Sequence, residues 1–116
     1  MTQIRLKRAY DPPASDDGFR VLVDRLWPRG LRKDAARIDA WLNDVAPSTE
    51  LRRWFGHDPA KWDEFRRRYK AELSRNPTLD ELRSLLASHK QVTLLFGARD
   101  EAHNNAVVLR DVCAHG

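Results

Sequence analysis

Two short segments concentrate the residues able to do chemistry. Asp24-Arg25-Leu26-Trp27-Pro28-Arg29-Gly30 sets an acid, two guanidinium groups and an indole in one run. Gly97-Ala98-Arg99-Asp100-Glu101-Ala102-His103-Asn104-Asn105 adds further charge, an imidazole and two adjacent amides. Arg25 and Arg29 offer forked donors that match a carboxylate or a phosphate. Trp27 offers a flat wall on which a base or ring can stack. Asn104 and Asn105 can orient a ligand through their amides. Asp24 and Asp100 are the candidate general bases, with the arginines stabilising developing negative charge. Together these residues predict a pocket for an anionic ligand, phosphate- or carboxylate-bearing, with nucleotides included. A structural reading competes with it: Asp24 and Arg25 pair with charges at a sheet margin, and Trp27-Pro28 is a packed corner. Spacing alone does not choose between them.

The remaining candidates are weaker. His57-Asp58 has the residue types of a metal dyad, but Asp58 before Pro59 is a helix cap. No H-x-x-x-H or H-E-x-x-H spacing occurs, so no metal site is expected. The chain has no G-x-G-x-x-G, Walker loop or G-x-S-x-G, and no cofactor is expected. Cys113 lies on an apolar stripe and reads as core, and Ser48 reads as a cap. Arg66, Arg67, Arg68 and Lys70 spread around a helix and read as a solvated face.

The elements must bring the two loaded segments together. Gln3–Tyr10 alternates apolar and polar residues, a half-buried strand. Phe19–Leu26 and Gln91–Ala98 have continuous apolar centres, as strands of a parallel sheet buried on both faces do. Between them the chain reads as helices. Asp34 caps a helix carrying Ile38, Trp41, Leu42 and Val45, and Ser48 caps a short one ending at Gly56. Asp58-Pro59 opens a third, with Trp62, Phe65, Tyr69 and Leu73 inward. Thr78–Glu81 forms a capping box for a fourth, with Leu79, Leu82, Leu85 and Leu86. Asp100 caps the last, with Ala106, Val107, Leu109, Val112 and Cys113 on its core side. The prediction is an α/β fold: a small, mostly parallel three-stranded sheet flanked by about five helices. The helical block is inserted between strands two and three. The segment between the first two strands fits a wide hairpin loop or a minimal crossover, so the first strand's direction stays open. In open α/β sheets ligands collect beyond the carboxyl ends of the strands, where both loaded segments fall.

Composition sets the outer limits. A length of 116 residues fits one domain, residues 1–116. The shares of 41% hydrophobic and 33% charged residues suit a soluble fold. No apolar run approaches the ~18 residues of a spanning helix, so no membrane role is expected. The start, Met1-Thr2-Gln3-Ile4-Arg5, lacks a signal core, and the one cysteine suits a reducing compartment. The expectation is a cytoplasmic monomer or homodimer. A net charge of +4 favours an anionic small molecule or nucleic acid as partner.

The segments "DGFRVLVDRLWPRG", "APSTELRRWFGHDPAKWDEFRRRYKAEL" and "VTLLFGARDEAHNNAVVL" resemble the YeaO-like branch of the domain-of-unknown-function family number 488. The resemblance runs from Ile4 to about Val112 and implies a small stand-alone cytosolic α/β protein without assigning a reaction. Its motif falls here on Asp24, Arg25, Trp27, Pro28, Arg29, Gly30, Trp41, Pro47, Ser48, Leu51, Arg52, Trp54, Phe55 and His57. It continues on Trp62, Phe65, Tyr69, Asp100 and Asn105. The wider family carries a Cys-His-Arg cluster after the last strand, where this chain has His103-Asn104-Asn105. The resemblance thus implies that thiol chemistry open to relatives is absent here. The reading that follows is an uncharacterised α/β protein with an anionic-ligand pocket at the strand ends. The alternative is a nucleic-acid-associated or regulatory accessory protein without catalysis.

Overall fold

The computed structural model describes residues 2–115. Four strands form one sheet: β1 (Gln3–Arg8), β2 (Phe19–Leu22), β3 (Ala40–Trp41) and β4 (Gln91–Phe96). Their order is β1-β4-β2-β3 and every neighbouring pair is parallel, which settles the direction of the first strand. The register sets Leu6 opposite Leu94, and Leu94 opposite Val21. Because side chains alternate along a strand, each strand feeds two separate layers. Val21, Val23, Val92, Leu94 and Phe96 join one core, and Leu22 and Leu95 join another.

Five helices accompany the sheet: α1 (Lys33–Ala36), α2 (Thr49–Phe55), α3 (Trp62–Leu73), α4 (Thr78–Ala87) and α5 (Asn105–His115). α1 lies between β2 and β3 in the chain, and α2, α3 and α4 lie between β3 and β4. The larger core collects Leu51 and Phe55 from α2, Phe65, Tyr69 and Leu73 from α3, Leu82 from α4 and Leu109 from α5. The Tyr69 hydroxyl donates to the Val45 carbonyl at 2.5 Å, which satisfies the one polar atom this ring buries. The opposite face is closed mainly by loops, with only the short α1 between Leu31 and Ile38. Ala9, Leu22 and Leu95 are closed over there by Trp27, Leu31 and Ile38.

The sheet has four strands where three were expected, and the difference has a local cause. The helix expected from Asp34 stops after Ala36, because Arg37 adopts a left-handed backbone with φ 49°. The Arg20 guanidinium donates to the carbonyls of Ala36 and Arg37, and the Asp39 carboxylate accepts from the Arg20 amide. These bonds turn the chain along the edge of β2, where Ala40 pairs with Val21 and Trp41 with Leu22. The apolar spacing that suggested one helical stripe is split: Ile38 packs on the loop side and Val45 on the helical side.

Two caps also sit elsewhere. Asn76, not Thr78, accepts from the amide at the start of α4, at 2.9 Å. Asn104, not Asp100, caps α5 through Val107 N–H at 3.2 Å. Ser48 and Asp58 cap as expected, accepting from Leu51 and Ala60. Among the described residues no helix is long and apolar enough to cross a membrane.

Candidate functional site

β2 and β4 end side by side, and Asp24 is the residue that joins them. Val23 N–H still donates to Leu95 O, and then the chain leaves the sheet. The Asp24 carboxylate turns back and accepts from Gly97 N–H at 2.8 Å. A Cβ at position 97 would lie 3.2 Å from that oxygen, so a side chain there would push the carboxylate back by a few tenths of an ångström. On the other side, the Asp24 carbonyl accepts from Trp41 Nε1 at 2.7 Å. Burial pushes the Asp24 carboxyl above its usual range. The Gly97 amide, the Asn105 side chain and the charges of His57 and Arg52 offset only part of that.

Beyond the two strand ends lies a recess of about 230 Å³. Asp24, Arg25, Asn104 and Asn105 line it, as do Arg52, His57 and His103. Its apolar lining is Leu26, Ala46, Pro47, Phe55, Phe65 and Ala98, with the Phe55 and Phe65 rings stacked at 4.2 Å. Arg25 is held by the carbonyls of Ala46 and Pro47 at 3.3–3.4 Å and lies 3.8 Å from Asp44. Asn104 is buried and spends its amide on Asp100 O and on the α5 cap. Asn105 donates to Val23 O at 2.9 Å and ties α5 to the end of β2. Both asparagines therefore build the recess wall as well as line it.

The other anticipated site residues lie outside the lining. Trp27 packs on the opposite face of the sheet, donating from Nε1 to Leu31 O at 2.7 Å and meeting Trp41 edge-on. Arg29 is exposed, and its carbonyl accepts from the Tyr10 hydroxyl. Asp100 shapes the turn before α5: one oxygen accepts from the amides of Ala102 and His103, and the other lies 2.8 Å from His103 Nδ1. The His103 contact holds the Asp100 carboxyl below its usual range. The Asp100 side chain thus reaches the recess through His103, whose ring also meets Trp62 edge-on at 5.2 Å.

Arg52 and His57 lie outside the two loaded segments; the sequence offers His57 only as half of a metal dyad with Asp58, and both residues are positions of the family motif. They come from the last turn of α2 and the residue beyond its cap. Gly56 ends α2 with φ 53°, and His57 follows with φ 57°, a conformation uncommon for a residue with a side chain. Neither Arg52 nor His57 has a side-chain hydrogen bond or ion pair among the described residues. The glycine cap was legible in the chain; that a second left-handed residue would bring an imidazole to the strand ends was not. Among the described residues no group of three His, Cys, Asp or Glu is placed to hold a metal ion. None of the lining residues is a serine, threonine or cysteine, so the recess has donors, cations and one carboxyl but no hydroxyl or thiol nucleophile.

The basic face of α3 is self-paired. Arg66 meets Asp63 at 2.7 Å, and Arg67 and Arg68 meet Glu64 at 2.5 and 2.7 Å. Those two guanidinium groups hold the Glu64 carboxyl down to about 2.

A family model described as the inactive DUF488-N3 subclade matches residues 3–115. An uncharacterized protein of Mycobacterium tuberculosis is 47% identical over 108 residues, covering 93% of this chain and 91% of its own. The uncharacterized protein YeaO of Escherichia coli is 41% identical over 108 residues, covering 93% of this chain and 94% of its own. No solved structure matches the chain at a comparable level of significance. With the family model spanning nearly every residue, and YeaO aligned over almost its full length, the chain belongs to the YeaO-like branch of the DUF488 family.

Proposed function

We propose that the recess at the carboxyl ends of β2 and β4 binds a small anionic ligand, carboxylate- or phosphate-bearing. The observation that carries this reading is the pair Arg52 and His57. Both line the recess, neither has a partner among the described residues, and His57 stands in a left-handed backbone. A residue held in that conformation costs about 1 kcal/mol or more, and such residues cluster where a side chain must be aimed. Arg25 adds a second guanidinium group, already oriented by the Ala46 and Pro47 carbonyls. The absence of a hydroxyl or thiol from the lining favours binding over group transfer. The description of the matching subclade as inactive supports the same choice.

Calorimetric titration with inorganic phosphate and small carboxylates at low salt tests this. Saturable binding is expected, weakened about tenfold or more by Arg52→Gln, the loss of one charge-assisted contact. His57→Gly is expected to bind more weakly while unfolding at a higher temperature, because glycine takes that backbone freely. A His57→Gly variant that loses stability along with binding would instead make His57 a structural residue. The absence of saturable heat with every anion would end the proposal. A single-stranded oligonucleotide binding far more tightly than phosphate would move the reading to nucleic-acid association.

A further inference from the structure

The recess contains a feature that anion binding alone does not explain. Asp24 is the one acidic residue in its lining, which it shares with Arg25, Arg52, His57 and His103. Gly97 N–H donates to Asp24 Oδ2 and the Asn105 side chain is close enough to favour its charge, which still leaves part of a carboxylate's acceptor capacity free. No ion pair joins Asp24 to Arg25, Arg52, His57 or His103 among the described residues. Beneath lies the apolar floor of Phe55, Phe65 and Ala98. A ligand that is only an anion would meet Asp24 as a like charge on a partly apolar surface, which opposes binding. A ligand carrying a donor at its other end removes that conflict and satisfies the carboxylate as well.

From this juxtaposition we infer that the recess takes a small bifunctional ligand: an anionic group on Arg52 and His57, and a hydroxyl or ammonium group on Asp24. This inference rests on the anion-binding reading and adds the second half of the ligand. The recess, about 230 Å³, has room for a ligand of this kind. The carbons between them lie against the phenylalanine floor. Hydroxy acids, amino acids and their phosphorylated counterparts have this chemistry; unsubstituted acids lack it.

Paired probes separate the two halves. Propionate is compared with lactate and β-alanine, and ethyl phosphate with 2-aminoethyl phosphate, by calorimetry on the full chain. The donor-bearing member of each pair is expected to bind about tenfold tighter, the worth of one charged hydrogen bond. In Asp24→Asn that preference is expected to collapse, while the simple anions bind at least as well as before. Asp24→Ser replaces Asp24→Asn if the latter does not fold. If both members of each pair bind equally to the unaltered protein, Asp24 meets no donor of the ligand. The bifunctional ligand is then ruled out and the anion site stands. If no probe binds, both readings fall.

Discussion

At the scale of single residues, Asp24 is held where its charge is unwelcome. Burial raises its pKa despite the Gly97 amide and the positive groups across the recess. The folded protein therefore holds this proton more tightly than the unfolded chain does. Below the ordinary aspartate pKa, about 3.9, both states are protonated and the residue costs nothing. As pH rises past that value the unfolded chain ionises first, and stability falls until the folded carboxyl has ionised too. Asp24→Asn keeps an acceptor for Gly97 and removes this cost. The variant is expected to match the unaltered protein near pH 3.5 and to unfold a few degrees higher at pH 7.5. Thermal melts followed by circular dichroism across that range check it; a variant less stable at pH 7.5 would mean the charge is stabilising. Stability gained by removing a site residue is the usual mark of a group kept for function.

At the scale of elements, the entry to β2 shows how tightly the chain is drawn onto β4. Gly18 has φ 67°, and a Cβ there would sit 2.2 Å from the Gln91 carbonyl oxygen. Gly18→Ala is expected to cost about 2 kcal/mol or more, from overlap with backbone that cannot step aside. Urea denaturation is the measurement, and a shift of a few tenths would show that the loop yields. The elements that sequence revealed are those set by local chemistry. Ser48, Gly56 and Asp58 punctuate the helices where cap preferences put them, and the apolar centres of β2 and β4 mark buried strands. Elements set by distant contacts were not legible. β3 exists because Arg20 captures the Ala36 and Arg37 carbonyls, and nothing near residue 40 announces that. The same limit applies to the candidate site. Asp24, Arg25, Asn104 and Asn105 were reachable from strand ends, because parallel strands bring those ends together. Trp27 sits on the far face, packed against Ala9, Leu22 and Leu95, and spacing along the chain does not report which face it takes. Arg52 and His57 enter the recess from α2, a helix whose docking no local pattern reports.

At the scale of the whole molecule, the two faces of the sheet are built on different principles. Helices bury one face with apolar contacts, whereas the other is closed by loops that need fixing. Arg20 does that fixing. It is only 4% exposed and points from β2 toward the loop face, where it pairs with Asp17, itself 3% exposed. Its other donors reach the Ala36 and Arg37 carbonyls. Lys7 from β1 also reaches Asp17, and Thr93 from β4 donates to the Asp17 carbonyl at 2.6 Å. One ionic cluster thus ties three strands to the loop before β2 and the turn before β3. Removing Arg20 leaves Asp17 with Lys7 as its remaining ion pair and takes the donor from the Ala36 and Arg37 carbonyls, a loss of about 3 kcal/mol. Arg20→Met is therefore expected to lower the thermal midpoint by about 10 °C or more. Asp17 and Arg20 share one network, so Asp17→Asn combined with Arg20→Met is expected to cost less than the two single changes added together. Additive losses in that double-mutant cycle would mean the two side chains act separately. The cluster lies toward the amino-terminal half of β2, and the recess lies beyond its carboxyl end. Below its melting temperature Arg20→Met should therefore bind phosphate as the unaltered protein does, and weakened binding would show that the loop face shapes the recess after all.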